Sequence, residues 1–358
     1  MKSLTVLVTA VGGGAVGEQI LKALRRGSAK YIVVGTDMSP DSKGLMEVDY
    51  PAIVPPATHP GYIAALLELC AKHGAKCVLC GSEPELRVLS AHRDEFARNG
   101  IFLPVNPSSV LDICLDKIKT AAFLREHGFA VPAFRRISSP QDALDFPALP
   151  AVIKPSVGGS GSANTFLAQT SPELRFYCEH LLSLYPECVI QEYVGTPHAE
   201  FTVGVLSDMA GQLLNSIAVR RNILSTLGCR LKQPNRSSRS DLGPLLAISS
   251  GYSQGQIGRF PEVTSQCEQI AMTLGARGPL NIQCRLVGGV VFVFEINPRF
   301  SGTTSLRAMV GYNEPDVLIR RHLLGETIQD HFPYESGLIL RGLSEVLMDP
   351  ARLPSEPD

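Results

Sequence analysis

An apolar run from Val290 to Phe294 leads straight into Glu295, Asn297 and Arg299 on alternate positions, and then into a turn of small residues from Phe300 to Thr304. In an extended segment, alternate side chains share one face, so an acid, an amide and a guanidinium project together. On a buried strand each such group costs several kcal/mol, order of magnitude, unless it is paired. The face therefore has to meet charged partners, and a divalent metal carrying polyphosphate fits all three groups.

With 358 residues, 44% of them hydrophobic, the chain has material for two or three domains around that strand. Its 33 basic and 34 acidic residues leave a net charge of -1, without the basic bias of a nucleic-acid binder. No segment approaches the roughly 20 apolar residues that span a bilayer, so no membrane partner is expected. Residues Lys2 to Thr9 pass into a glycine turn instead of a signal-peptide pattern, and the expected location is cytoplasmic. The nine cysteines are an odd number without regular spacing, which suits buried thiols. Cys77 and Cys80 form a CxxC inside a strand, where they would point to opposite faces, and no second pair completes a zinc site.

Over the first 110 or so residues strand and helix patterns alternate. Leu4–Val8, Tyr31–Val34 and Lys76–Cys80 read as strands, Val16–Arg26 and Tyr62–His73 as helices, which predicts a parallel sheet. Pro104 and Pro107 close this unit, and Ser108 and Ser109 can start a helix. A helix over Lys117–Arg125 ends at Gly128, and Ala151–Lys154 is a strand. Cys188–Val194 and Phe201–Leu206 read as an antiparallel hairpin about Gly195–Pro197. Residues 225–258 read as a long loop, either a lid hinged near Gly243 and Ser249 or a disordered excursion. Val263–Leu274 and Asp316–Leu324 read as helices, Gly278–Cys284 and Val290–Asn297 as paired strands, and Leu338–Val346 as a closing strand.

Two glycine clusters compete as anion sites. Gly12, Gly14 and Gly17 satisfy GxGxxG, with Asp37 about 20 residues further on, the form of a dinucleotide turn. Nothing downstream resembles a hydride-transfer site, so this turn reads instead as a cleft wall or a contact for a substrate anion. The second cluster is Lys154 followed by Gly158, Gly159, Ser160, Gly161 and Ser162. A lysine leaving a strand sets a cation at fixed depth, and consecutive small residues let backbone N–H groups fold over phosphates. The plain alternative is a solvent-exposed glycine hairpin. A Walker-type loop is excluded, since GxxxxGK is absent.

Arg220 and Arg221 end the strand-like stretch from Leu213, and Arg307 follows the metal-like motif. A guanidinium is the natural bidentate anchor for a carboxylate, and Arg221 and Arg307 are the preferred candidates, with ordinary ion pairs as the alternative. Glu83 and Glu85 follow the C-terminal end of a parallel strand, where they can receive an ammonium or cap a helix.

Six ordered segments together resemble the ATP-grasp superfamily, in particular the branch similar to the ATP-binding domains of carbamoyl phosphate synthetase large chain. They are Asp116–Thr120, Val152–Pro155 with the glycines that follow, Gln191–Val194, Glu200–Val203, Gly278–Gln283 and Phe294–Arg299. The resemblance runs from about residue 4 to 345, and it implies an α/β chain with an α+β lid. A Rossmann-like pre-ATP-grasp domain (1–112) would precede a central and lid region (113–205) and a C-terminal region with metal and substrate sites (206–350). ATP and Mg2+ are the implied cofactors, with Mn2+ as a substitute.

By the same resemblance Lys117 and Lys154 would bind phosphates, with Lys119 a rival to Lys117. Glu192, Tyr193 and Val194 would hold the adenine edge, mostly through backbone groups, and Glu200 the ribose hydroxyls. Gln283, Glu295 and Asn297 would coordinate the metal, although Gln283 stands where many relatives carry an acid and also reads as merely structural. Arg299 would stabilise the transferring phosphoryl group, with Lys154, Arg307 and Arg221 completing the catalytic set. The implied activity is ADP-forming ligation of a small carboxylic acid to an amine through an acylphosphate, with a homodimer as the default assembly. A kinase, an ATP-dependent carboxylating enzyme and, more remotely, an NAD-dependent dehydrogenase are the alternatives.

Overall fold

Strands β1 (Leu4–Val8), β2 (Tyr31–Asp37), β3 (Tyr50–Ile53) and β4 (Val78–Leu79) pair in parallel in the order β3-β2-β1-β4. The computed structural model describes residues 3–14, 16–158 and 162–347. Helices α1 (Val16–Leu24) and α2 (Tyr62–His73) cross between the strands. β3 contains Pro51 and lies at the edge of the sheet, where a missing N–H is tolerated. Cys77 and Cys80 are buried in separate core clusters, as alternation along a strand requires.

Helices α3 (Glu83–Ala91), α4 (Arg93–Arg98), α5 (Ser108–Cys114) and α6 (Lys117–Glu126) lead into a second, antiparallel sheet. It comprises β5 (Phe134–Ile137), β6 (Ala151–Pro155), β7 (Phe166–Ala168) and β8 (Cys188–Glu192), ordered β5-β8-β6-β7, with α7 (Ser171–Leu182) packed on it. Its core is self-contained, built from residues between Ile137 and Ile190.

The third sheet has six strands in the order β15-β14-β9-β10-β13-β16. Its members are β9 (Glu200–Ser207), β10 (Leu213–Arg221), β13 (Gly255–Gly258), β14 (Pro279–Val287), β15 (Val290–Asn297) and β16 (Gly337–Ile339). Between β10 and β13 the chain forms a separate ribbon, β11 (Cys229–Pro234) with β12 (Leu245–Ser249). Helix α8 (Pro261–Leu274) buries Val263, Cys267, Ile270 and Leu274 against the sheet, and α9 (Thr304–Met309) and α10 (Glu314–His322) follow β15.

Three sequence expectations are corrected. The hairpin of Cys188–Val194 with Phe201–Leu206 does not form: β8 pairs with β5 and β6, and β9 with β10 and β14. β8 is buried along most of its length and β9 along all of it, so each is a central strand that needs partners on both sides. Residues 225–258 are not a structureless loop but the β11-β12 ribbon and β13, held by Leu242, Leu246 and Ile248 packing on Tyr193 and Leu167. The closing strand is shorter than expected, Gly337–Ile339.

The first unit is fixed to the third sheet. Asn106, fully buried, donates to the carbonyls of Pro279 (2.9 Å) and Pro298 (3.1 Å) and accepts from the Arg277 N–H (2.8 Å). Asp316 accepts from Tyr31 Oη at 2.7 Å, and one apolar cluster runs from Val6 and Ile20 through to Ile217 and Leu318. Among the described residues no helix is long and apolar enough to cross a membrane.

Candidate active site

The β14-β15 hairpin fixes the centre of the site. Register places Gln283 opposite Glu295 and Asn281 opposite Asn297, so alternation delivers these side chains to one face, as the pattern of the run predicts. Asn297 Nδ2 donates to Glu295 Oε1 (3.3 Å), and Arg299 donates to Asn297 Oδ1 (3.1 Å). Burial alone would raise the Glu295 pKa. The nearby charges of Lys117, Lys154 and Arg299, with the Asn297 hydrogen bond, outweigh it and hold the carboxylate below its ordinary range.

Two cavities meet at this hairpin. The first, about 710 Å³, is a cleft between the second and third sheets, with Val152, Phe294 and Ile248 among its apolar walls. Lys154 reaches into it from β6 and donates to the Phe294 carbonyl at 3.0 Å. Burial, with Lys117 adding to it, pushes Lys154 down to about 8 against the pull of Glu295. Lys117 joins it because Asp116 caps α6, accepting from the N–H groups of Ile118 (2.9 Å) and Lys119 (3.2 Å) and from Ser156 Oγ (2.8 Å). That cap aims Lys117 Nζ at the Gly158 carbonyl, 2.9 Å away, while Lys119 is exposed and does not line the cleft. Gly158 and Ser162 also line it; Gly159, Ser160 and Gly161 lie outside the described residues.

At the other end of the cleft Glu200, 2% exposed, is held between two arginines. Arg221 Nη1 donates to Oε1 at 3.1 Å and Arg285 Nη2 to Oε2 at 3.0 Å. Arg285 also donates to the Val194 carbonyl (3.1 Å) and lies over the Tyr193 ring at 4.3 Å. Tyr193 in turn donates to and accepts from the backbone of Ala247 on β12, which ties the ribbon down over the cleft. The N–H of Glu192 is spent on Ala133 (2.8 Å), and its side chain pairs with Arg239 at 3.0 Å. Arg285 was not anticipated, yet it follows Gln283 by two positions on β14, the alternation signal that identified its neighbours.

The second cavity, about 530 Å³, shares Gln283, Glu295 and Ser162 with the first and continues past Asn297 and Arg299 toward Ser253 and Thr303. Arg221 forms part of its wall, donating from Nη2 to the carbonyls of Ser250 (2.8 Å) and Tyr252 (3.1 Å). Arg220, by contrast, is exposed and donates to the His198 carbonyl.

Glu83, Glu85 and Arg307, like Lys119 and Arg220, line neither cavity. Arg307 is wholly buried, donating to Glu314 Oε1 (2.9 Å) and Asn281 Oδ1 (2.7 Å), so the carboxylate it holds is the chain's own. Glu85 completes a capping box with Ser82 and accepts from Thr9 Oγ1 and Tyr62 Oη, both at 2.6 Å, which makes it a core group. The GxGxxG turn likewise receives its own anions. Gly12 N–H donates to Asp37 Oδ2 (2.8 Å) and Gly14 N–H to Glu18 Oε2 (2.6 Å), so two carboxylates stand where a pyrophosphate would sit. Gly17 is required for packing, since a Cβ there would lie 2.2 Å from the Ala10 carbonyl oxygen.

This is a parallel-sheet domain followed by two antiparallel sheets that clasp a cleft, with Lys154 from one and the hairpin of Glu295 and Asn297 from the other. Residues 6–104 match the family described as PylC-like, N-terminal domain, and residues 249–346 match ATP-grasp in the biosynthetic pathway with Ter operon. The chain has the ATP-grasp fold. N5-carboxyaminoimidazole synthetase from Staphylococcus aureus complexed with ADP shares the ATP-grasp fold, with a TM-score of 0.63 at 13% identity, over 94% of this chain and 80% of that one. The L-amino acid ligase from Bacillus licheniformis gives 0.60 at 15% identity, over 90% and 74%. D-alanine--D-alanine ligase from Bacillus anthracis complexed with ATP gives 0.54 at 15% identity, over 89% and 97%. No curated protein matches the chain in sequence.

A metal of the kind this ATP-grasp hairpin suggests has to be tested against the donors present. Among the described residues no group of three or more His, Cys, Asp or Glu side chains is placed to hold an ion. Glu295 with the amide oxygens of Gln283 and Asn297 is an all-oxygen set with one carboxylate. It fits magnesium shared with phosphate oxygens and does not fit zinc.

Proposed function

We propose that the chain is an ATP-dependent, ADP-forming ligase. It phosphorylates a small carboxylic acid, an amino acid or a related compound, to an acylphosphate that an amine captures as an amide or peptide bond. The supporting observation is the shared wall: the apolar-sided cleft and the polar cavity meet at Glu295 and Gln283, so a terminal phosphate in one lies next to a carboxylate in the other. Magnesium held by Glu295, Asn297 and Gln283 would supply charge neutralisation at the phosphates.

The chain's own groups do the rest. Lys154 and Lys117 balance phosphate charge from the β6 side, and Arg299 stands on the β15 side where charge develops during transfer. The Glu192–Val194 segment and the Phe294 and Ile248 side chains form an adenine slot, and the β12 ribbon above them keeps water out. Glu200, clamped by Arg221 and Arg285, presents its remaining lone pairs to the ribose hydroxyls. Soluble small molecules are the expected partners.

Incubation with magnesium-ATP and paired carboxylic acids and amines tests the reading. ADP and phosphate should appear only with both substrates, together with a new amide detected by mass spectrometry. A phosphorylated product without condensation would indicate a kinase, and strict dependence on bicarbonate a carboxylating enzyme.

A further inference from the structure

We infer that the second cavity selects a small hydrophilic carboxylic acid bearing at least one further hydrogen-bonding group, such as a hydroxyl, an amide or a second carboxylate, and rejects acids with aliphatic or aromatic side chains. This deepens the ligase reading and rests on it. The nucleotide cleft has several apolar walls, whereas every residue lining the second cavity is polar, charged or glycine.

Its walls are built from three directions. One is Ser250 to Ser253, fixed by the two Arg221 donations to the carbonyls of Ser250 and Tyr252. Another is the turn after β15, where Ser301 Oγ and Thr303 Oγ1 lie 2.6 Å apart and the Thr303 N–H donates to Ser301 Oγ at 3.0 Å. The floor comes from Thr202 on β9 and Asn281 on β14, joined by a 2.9 Å hydrogen bond. The frame is thus held by its own bonds before any ligand arrives.

What it leaves unmatched points to the ligand. Ser253 is 6% exposed, lines the cavity, and its hydroxyl has no hydrogen-bond partner among the described residues. An aliphatic side chain here would displace water from hydroxyl, amide and guanidinium groups and return nothing. A polar side chain would satisfy them. Sites built around hydrogen-bonding groups discriminate far more sharply than apolar pockets do against a ligand lacking the match.

The test is calorimetric titration of the protein saturated with magnesium and a non-hydrolysable ATP analogue, using malate, aspartate, glutamate and serine against valine, leucine and phenylalanine. At least one hydrophilic acid should bind roughly 100-fold tighter than any apolar one. S253L should abolish that binding with analogue affinity unchanged, and S253A, which removes only the hydroxyl, should weaken it by about 10-fold. An apolar acid binding as tightly as the best hydrophilic one, no binding by any hydrophilic acid, or unchanged acid affinity in both variants would overturn the inference. Failure of the analogue itself to bind would instead strike the ligase reading on which this one rests.

Discussion

Gln283 faces Glu295 directly across the β14-β15 ladder, so an amide occupies the position opposite the carboxylate of the hairpin. Five cationic side chains, Lys117, Lys154, Arg221, Arg285 and Arg299, line the two cavities, and Arg221 Nη1 approaches Gln283 Oε1 at 3.4 Å. Positive charge already crowds the place where a further metal ion would bind. With a non-hydrolysable ATP analogue bound, the wild-type chain should therefore retain one Mn2+, and Gln283→Glu should raise this to two. Equilibrium dialysis with electron paramagnetic resonance counts the bound ions, and two in the wild type would refute the argument.

Removing the carboxylate altogether has a different signature. Glu295→Ala leaves the apolar cleft walls and both lysines in place but withdraws the carboxylate proposed to hold the metal. Turnover should fall by on the order of 10³-fold or more while analogue affinity changes by less than about 10-fold. Steady-state kinetics beside calorimetry separates the two effects, and retained turnover would remove Glu295 from its proposed role.

Lys154 sets a pH dependence. Its pKa lies near 8 in the free protein, and a bound polyphosphate favours the charged form, so binding raises the pKa and takes up protons at pH near and above 8. Affinity for the analogue should be highest well below pH 8 and decline as pH rises through it. Titrations in buffers of contrasting ionisation enthalpy report the proton uptake directly, and Lys154→Met should abolish this component.

Arg307 provides a contrast with Arg299. Because its guanidinium is sealed against Glu314 and Asn281, Arg307→Met should strand a buried carboxylate and cost about 3–5 kcal/mol of stability. Turnover per folded molecule should stay within a few fold of wild type. Urea denaturation and active-site titration measure the two separately, and a stable but inactive variant would return Arg307 to the catalytic set.

The parts that were legible in the sequence are those encoded locally. Alternation in Val290–Asn297 identified the hairpin and its polar face, and the helix expected over Lys117–Arg125 is present, with Asp116 capping its start. The failures are long-range. Nothing near Cys188 or Phe201 reveals that each strand has two partners elsewhere, and the β11-β12 ribbon owes its order to Tyr193 and Leu167, which are distant in the chain. Glu85 stayed open between two readings because a capping carboxylate and a substrate-binding one look alike until Tyr62 and Thr9 are seen around it. Arg307 failed similarly, since its partner Glu314 could be identified only once the α9-α10 turn was known.

Asn106 has a mechanical consequence. By bonding to Pro279 and Pro298 it fastens the parallel-sheet unit to the third sheet, whereas the layer carrying β5 to β8 rests on a core of its own. The two walls of the cleft are thus unequally braced: the β14-β15 hairpin is tied to the parallel-sheet unit, whereas Lys154 stands on a layer with a core of its own.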